Sequence, residues 1–195
     1  MDALILAGGE NKRIPMIKGF LEIRNRKIIE TNIELLKSIF SRVILSVNHP
    51  ELYFYLGLPM IGDVVDSRGP MTGILSVFMN TESADIFVTA CDMPYINAIL
   101  IKHMVEKYND KFDALIPLYD GKPQPLFGIY AKRISGLMEQ RIRAGKKSLL
   151  DFLKTINVRY INEEEVRNID PEGRSFVNIN TFKDYQREGG AICLG

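Results

Sequence analysis

The chain has 195 residues, of which 46% are hydrophobic and 25% are charged, and its formal net charge at pH 7 is +1. This composition is typical of a globular protein, and the small net charge excludes a broad basic surface that binds nucleic acid by charge alone. Two cysteines are too few for a disulfide framework, and no apolar stretch approaches the roughly 20 residues that span a bilayer. We therefore expect a cytoplasmic protein that binds neither nucleic acid nor membranes.

Short apolar runs alternate with segments of helical period along the first half of the chain. In chain order they predict a strand at 3–7, a helix at 28–40, a strand at 42–47, a short helix at 51–56, a strand at 60–64, a helix at 72–80, a strand at 85–90 and a helix at 98–108. The alternation of strands and helices predicts an α/β fold with a doubly wound, mostly parallel sheet.

The pattern becomes less regular after about residue 110. Strands are predicted at 112–119, 126–131, 158–161 and 176–179, and helices at 148–155 and after Thr181. Both helices open on a capping box, Ser148-x-x-Asp151 and Thr181-x-x-Asp184. We therefore expect a smaller C-terminal β-rich portion that lies against the sheet.

Polar residues follow each of the first four predicted strands. Gly8 and Gly9 come after the first strand, Asn48 after the second, Asp63 and Asp66 after the third, and Asp92 after the fourth. Ligands of open α/β sheets bind beyond the carboxyl ends of the strands. These residues therefore predict a ligand site at one edge of the sheet.

The glycine pair at the end of the first strand matches neither the dinucleotide fingerprint nor the Walker pattern. Two glycines still let the backbone approach a base or a phosphate closely. Arg13 would grip phosphate oxygens with its planar fork, and Lys18 would supply a point charge. The alternative is an ordinary tight turn with solvated basic residues. The residues by themselves leave both interpretations open.

Asp92 ends an apolar run, where a lone buried charge is costly. Mg²⁺ is a natural partner, because it binds one or two carboxylates together with substrate phosphates. The alternative is that Asp92 or Asn97 caps the helix beyond Pro94. Asp63 and Asp66 would add a second carboxylate or hold a base or ribose, or they are solvated loop acids.

Together these segments resemble the MobA family, the molybdenum cofactor (molybdopterin) guanylyltransferases of the wider nucleotidyltransferase superfamily. The matching stretches occur in the family's order and span nearly the whole chain: LILAGGENKR with Lys18, GPMTGILS (69–76), CDMPYI (91–96), QPLFGIY (124–130) and VNINTFKDY (177–185). The glycine loop and the Asp-Met-Pro segment are shared with the superfamily. The QPLFGIY and NINT segments are more particular to the guanylyltransferases.

The resemblance implies an enzyme that transfers GMP from GTP to the molybdopterin-type cofactor, giving the guanine dinucleotide cofactor and pyrophosphate with Mg²⁺ as cofactor. It implies a Rossmann-like nucleotidyltransferase fold in a single domain over 1–195, with a nucleotide-binding half at about 1–110 and a pterin-substrate half at about 111–195. The partners would be GTP and the cofactor, joined by cofactor-delivery proteins or acceptor molybdoenzymes.

Carried over by position, the resemblance implies catalytic roles for Asp92, Lys18 and Arg13, with Asp92 as the metal ligand. The implied nucleotide contacts are Leu6, Ala7, Gly8, Gly9, Lys18, Asn48, Asp63, Asp66, Gly73 and Asp92. Ser46 competes with Asn48 for one position, and Asp66 competes with Asp63 for another. The implied pterin side is Gln124, Asn178 and Asn180, with Asn180 as a second candidate metal contact.

The sequence departs from the family's pattern after the glycine loop. Pro15 stands where the family has glycine, and Ile17 stands where it has an acid. Proline fixes φ, so this loop must follow a different path. Three alternatives stay open: a cytidylyltransferase of the same cofactor, a sugar-1-phosphate or alcohol-phosphate nucleotidyltransferase, and a non-catalytic cofactor carrier.

Overall fold

A central sheet organises the computed structural model, which describes residues 1–8 and 20–189. Its main strands are β1 (Asp2–Leu6), β4 (Val43–Ser46), β5 (Met60–Ile61), β6 (Asp85–Ala90), β7 (Ala114–Tyr119), β9 (Gly128–Ala131) and β10 (Val158–Ile161). They lie in the order β5-β4-β1-β6-β9-β7-β10. Only β9 runs antiparallel to its neighbours among these described strands. The carboxyl ends of β5, β4, β1 and β6 therefore share one edge.

Helices cover both faces of this sheet. They are α1 (Ile28–Lys37), α2 (Pro70–Asn80), α3 (Ala98–Lys107), α4 (Ser135–Arg143), α5 (Leu149–Leu153), α6 (Glu163–Ile169) and α7 (Phe182–Arg187). Ser148 caps α5 by accepting a hydrogen bond from the Asp151 N–H. No helix within the described ranges is long and apolar enough to cross a bilayer.

The alternation of side chains along β1 separates two hydrophobic cores. Ala3 and Ile5 pack with α1, α3 and α6, whereas Leu4 packs with α2, α4 and α5. Successive side chains of a strand point to opposite faces, so a strand covered on both sides is apolar throughout. The prediction of a doubly wound, mostly parallel sheet is confirmed.

The second half of the chain extends the same sheet. Strands β7, β9 and β10 continue it, and β8 (Lys122–Pro123) pairs with β7. This half also contains α4 to α7, of which α4 and α6 had no predicted counterpart. The C-terminal strands therefore belong to the central sheet. Two of the helices beside them were not predicted, because their apolar repeats are short.

The predicted strand at 176–179 is wrong. A 3₁₀ turn at Arg174–Phe176 is followed by irregular chain. Ile179 is fully buried, but it packs with Leu21, Ile23 and Tyr185 in a small third core. Burial outside the sheet thus produced an apolar pattern that resembles a strand. The predicted helix at 51–56 is likewise two 3₁₀ turns, Pro50–Leu52 and Phe54–Leu56.

A β-hairpin that was not predicted from the sequence follows residue 20. It consists of β2 (Glu22–Ile23) and β3 (Arg26–Lys27). Tyr185 of α7 holds it, because the phenol donates to the Glu22 carbonyl at 2.8 Å and accepts from the Glu22 N–H at 3.2 Å. The capping box predicted at Thr181 and Asp184 is present at the start of α7. The C-terminal helix therefore anchors this hairpin.

Candidate nucleotide-binding site

A cavity of about 360 Å³ lies at the carboxyl edge of β4, β1 and β6. Its walls come from the ends of these strands, from the connection between β5 and α2, and from the segment before β9. The lining residues are Leu6, Gly8, Ser46, Asp63, Arg68, Gly69, Pro70, Gly73, Ala90, Cys91, Asp92 and Leu126. Three of the six residues that were predicted to meet at this edge, Gly8, Asp63 and Asp92, line this cavity.

The end of β1 contributes to the cavity with alternate residues. Leu6 and Gly8 line it, whereas Ala7 between them packs against the core on the other face. The Ala7 N–H donates to the Ser46 carbonyl at 2.9 Å, which keeps the ends of β1 and β4 paired. The predicted contacts of Gly9, Arg13 and Lys18, and the departure at Pro15, lie outside the described residues.

Gly73 lets helix α2 approach these strand ends closely. A Cβ atom at Gly73 would lie 2.6 Å from Leu6 Cδ2 and 2.7 Å from Ser46 Oγ. Both distances are far below van der Waals contact, and both neighbours line the cavity. Any larger residue at Gly73 must push these side chains aside and reshape the cavity.

We expect Gly73→Ala to lower the free energy of unfolding by about 1–2 kcal/mol because it overpacks this contact. Gly136→Ala in α4 is the matched control, since a Cβ atom there meets none of the described residues within 4 Å. This control should raise the free energy of unfolding by about 0.5–1 kcal/mol, the usual helical advantage of alanine. Urea denaturation of both variants measures the change in the free energy of unfolding and its sign. A stabilising effect of Gly73→Ala would contradict the packing argument.

Asn48 ties together the loops after β1, β4 and β5. Its side-chain amide donates to the Gly8 carbonyl at 3.3 Å and to Asp63 Oδ2 at 3.0 Å. Asn48 lines an adjoining recess of about 320 Å³, whereas Ser46, the competing candidate, lines the main cavity. Asn48 therefore sets the position of Gly8 and Asp63 at the cavity wall.

Asp63 and Asp66 occupy different positions at this edge. Asp63 is half-buried and lines both the cavity and the recess, whereas Asp66 is exposed and lines the recess alone. Burial raises the pKa of the Asp63 carboxyl, and the hydrogen bond from Asn48 opposes this shift without cancelling it. Asp63 is thus the better placed of the two to contact a ligand in the cavity.

Asp92 lies directly beyond β6 and is only 8% exposed. The Cys91 N–H donates to the Leu6 carbonyl at 3.0 Å, which extends the pairing of β6 with β1 to the residue before Asp92. The helix cap that competed with a ligand role is Asn97, whose Oδ1 accepts from the Ile99 and Leu100 N–H groups. Asp92 is therefore not the cap of α3, and its carboxylate belongs to the cavity wall.

The C-terminal segment reaches the cavity through the backbone of Asp92. The Ile179 N–H donates to the Asp92 carbonyl at 2.9 Å, which places residues 178–180 beside Asp92. Asn178 donates from its side chain to the Phe176 carbonyl at 2.9 Å, and Asn180 is exposed. The Gln124 side chain donates to the Tyr119 and Lys122 carbonyls at 3.4 Å, and its own carbonyl accepts from the Phe127 N–H at 3.0 Å in the turn before β9, which contains the cavity-lining Leu126. The three predicted pterin-side residues thus lie on segments that border this edge.

The N-terminus of α2 opens onto the cavity. Gly69 and Pro70 line it, and Gly69 has a φ of 143°, which favours glycine. Gly69 is the N-cap residue of this 11-residue helix and has no side chain that could cap its first turn. Backbone N–H groups and the helix dipole at such an end attract anions.

The residues at the cavity fit a divalent cation that arrives with a phosphorylated ligand. Asp92 lines the cavity at the end of β6 and offers one carboxylate. Across the part of the chain that the structure describes, no three His, Cys, Asp or Glu side chains form a metal cage. Mg²⁺ needs no such cage, because it binds one or two carboxylates and completes its shell with substrate phosphates and water.

The model of the MobA-like NTP transferase domain matches residues 3–159. The chain belongs to this family. It is 34% identical over 191 residues to a probable molybdenum cofactor guanylyltransferase of Peptoclostridium acidaminophilum, covering 95% of this chain and 86% of that protein. It is 31% identical over 186 residues to the molybdenum cofactor guanylyltransferase of Syntrophotalea carbinolica, covering 95% and 89%. The resemblance seen in the sequence motifs is confirmed.

Solved structures agree with this MobA-like assignment. Molybdopterin-guanine dinucleotide biosynthesis protein A from Archaeoglobus fulgidus superposes with a TM-score of 0.83 at 29% identity, covering 96% of each chain. A nucleotidyl transferase from Methanothermobacter thermautotroptrophicus superposes with a TM-score of 0.71 at 16% identity, covering 95% of this chain and 94% of that one. The second likeness shows the fold alone.

The MobA-like cavity also contains residues that the sequence reasoning did not select. Arg68 and Leu126 line it although no individual role was predicted for them. Arg68 lies in the same strand-to-helix connection as Asp63, and Leu126 lies in the QPLFGIY segment, so both positions carried a usable signal.

Proposed function

We propose that this protein transfers GMP from GTP to the molybdopterin-type molybdenum cofactor, forming the guanine dinucleotide cofactor and pyrophosphate. One observation carries the proposal: the carboxylate of Asp92 lies at the β6 end of a cavity in a chain whose relatives are named guanylyltransferases. A cavity of about 360 Å³ suits a nucleotide. This cavity therefore supports a site for the reaction after which these relatives are named.

In the proposed reaction, a phosphate oxygen of the cofactor attacks the α-phosphorus of GTP in line. The bond from this phosphorus to the oxygen that bridges the α- and β-phosphates breaks, and pyrophosphate leaves with the bonding electrons. The attacking phosphate is already ionised, so no general base is required. Catalysis then consists of positioning the two phosphates and neutralising their charge.

The proposed roles follow the arrangement of the cavity. Asp92 would hold Mg²⁺, which when bound neutralises charge on the reacting phosphates. On sequence grounds, Lys18 and Arg13 would offset charge on the β- and γ-phosphates. Residues of the first half, up to about 110, would hold the nucleotide.

The second half of the chain, from about residue 111, would hold the pterin substrate. Gln124, Asn178 and Asn180 are the proposed contacts, because their segments border the β6 and β9 side of the cavity. Cofactor-delivery proteins or acceptor molybdoenzymes would exchange the pterin with this half. We place the reaction in the cytoplasm, where GTP is available.

Release of pyrophosphate tests the function directly. The purified protein is incubated with molybdopterin cofactor, Mg²⁺ and GTP, CTP or ATP in separate reactions. We expect pyrophosphate and the guanine dinucleotide product with GTP. Pyrophosphate with CTP alone would indicate a cytidylyltransferase, and none under any divalent metal would indicate a non-catalytic carrier.

Asp63→Asn is expected to stabilise the fold at pH 7. Because burial raises the pKa of Asp63 in the folded state, its ionised form at pH 7 disfavours folding. Asparagine removes this charge and keeps an acceptor for Asn48, so Tm should rise by about 1–3 °C at pH 7. The gain should shrink as the pH falls toward the pKa of the folded state. A lower Tm at pH 7, measured by thermal denaturation, would contradict this interpretation.

A further inference from the structure

We propose that Arg68 is a specificity-determining residue that donates hydrogen bonds to O6 and N7 of guanine, while Asp63 accepts from N1–H and the 2-amino group. The inference rests on the proposed function, since it assigns the base-reading end of the same cavity. Both side chains line that cavity and the adjoining recess. Arg68 lies outside the segments that match the family's motifs.

The strand order places these two residues at the end of the cavity away from Asp92. Asp92 follows β6, and Arg68 and Asp63 follow β5, with β1 and β4 in between. Neighbouring strands lie about 4.8 Å apart, so the distance across three spacings is about 14 Å. If Asp92 marks the reacting phosphates, the base of an extended nucleotide points toward β4 and β5.

The segment from Asp63 to Arg68 is held in place by its neighbours. The Val64 N–H donates to Ser76 Oγ of α2 at 3.0 Å, and this hydroxyl donates to the Thr72 carbonyl at 2.8 Å. Asn48 fixes the Asp63 carboxylate from the other side. Arg68 is followed by Gly69 and Pro70, where α2 begins. The connection is therefore anchored at both ends, which suits residues that must discriminate between bases.

The charges of the pair match the edges of guanine. A guanidinium donates two parallel hydrogen bonds and matches the O6 and N7 acceptors of guanine. A carboxylate accepts from two neighbouring N–H groups, which guanine offers at N1 and at the 2-amino group. Adenine would set its 6-amino donor against the donors of Arg68 and has no N1–H for Asp63. The pair therefore selects guanine over adenine.

Nucleotides that lack single atoms of guanine test this assignment. Transfer is measured as kcat/KM for GTP, for 7-deaza-GTP, which lacks N7, for 6-thio-GTP, in which a weakly accepting sulfur replaces O6 while N1–H is kept, and for ITP, which lacks the 2-amino group. We expect each missing atom to lower kcat/KM of the wild type by about 10- to 100-fold. In Arg68→Ala the loss of kcat/KM on removing N7 or O6 should be less than about threefold. The loss of kcat/KM with ITP should be the same as in the wild type.

Arg133→Ala is the control, because Arg133 follows β9 at the opposite edge of the sheet and pairs with Asp113. Arg133→Ala should leave the ratio of kcat/KM between GTP and each analogue the same as in the wild type. If Arg68→Ala lowers kcat/KM for GTP but keeps the full losses for N7 and O6, Arg68 contacts phosphate and the inference is overturned. Unchanged kcat/KM for GTP in Arg68→Ala also overturns it. Wild-type protein that does not use GTP at all contradicts the proposed function instead.

Discussion

Replacing Asp92 with asparagine should lower the rate of GMP transfer by at least about 1,000-fold while the fold stays intact. Asparagine has nearly the same shape but lacks the charge that a divalent cation requires. The loss of charge stabilisation at a reacting phosphate costs several kcal/mol, and each 1.36 kcal/mol is tenfold in rate. The backbone carbonyl that accepts from Ile179 is unchanged, so the C-terminal segment keeps its place.

The measurement is pyrophosphate release at saturating GTP and cofactor, with Mg²⁺ as the sole metal, together with thermal denaturation of both proteins. Asp110→Asn is the matched control, because Asp110 is exposed and precedes β7 at the opposite edge of the sheet. This control should retain wild-type activity. Full activity of Asp92→Asn under these conditions would remove Asp92 from the mechanism.

Replacing Gly173 with alanine should lower the free energy of unfolding by about 3 kcal/mol or more, the largest stability effect that we expect. A Cβ atom at Gly173 would lie 2.2–2.7 Å from three atoms of the Tyr119 ring. The ring cannot move aside easily, because the Arg167 guanidinium lies over it at 4.3 Å and donates to its hydroxyl at 3.0 Å. Overpacking of this kind adds to the cost of a left-handed backbone.

Gly57→Ala separates these two contributions. Gly57 has the same φ of 61° as Gly173, but a Cβ atom there meets nothing within 4 Å. Gly57→Ala should lower the free energy of unfolding by about 1–2 kcal/mol, which is the cost of the left-handed backbone alone. Urea denaturation of both variants gives the difference, which reports the contact with Tyr119. Equal losses of unfolding free energy in the two variants would show that the Tyr119 ring moves aside without an energetic cost.

Gly173→Ala should also lower activity at temperatures where the variant is still folded. Gly173 begins the stretch that runs through Phe176 to Ile179, and Phe176 packs against Tyr119 at a ring distance of 5.3 Å. A displaced Tyr119 ring would shift this stretch and with it the hydrogen bond from Ile179 to Asp92. Gly57→Ala lies outside this chain of contacts and should not change activity.

The central strands were predictable because their signal is local. The strand at 85–90 matches the structure residue for residue, since a strand buried on both faces is a short apolar run between turn residues. The strand at 158–161 also matches, although it is a partly exposed edge strand. Asp63 and Asp92 line the cavity because each comes two residues after the end of a strand, β5 or β6. Parallel strands bring their carboxyl ends to one edge, so position in the sequence implied proximity in space.

Other features had no local signal. The strand predicted at 176–179 failed because Ile179 is buried against Leu21 and Tyr185 rather than in the sheet. The need for glycine at position 73 arises from Leu6 and Ser46, which belong to two other segments. Contacts of this kind depend on how distant segments pack, and no periodicity within a segment encodes them.

By itself, the sequence determined the α/β class, the edge of the sheet at which the cavity lies, and membership of the MobA-like family through its ordered motifs. Only the tertiary structure decided that Asn97 rather than Asp92 caps α3, that Asp63 rather than Asp66 lines the cavity, and that Arg68 faces the same space. The physical reason is that strand ends are set by local pattern. The direction and partners of a side chain at such an end are set by the elements that pack around it.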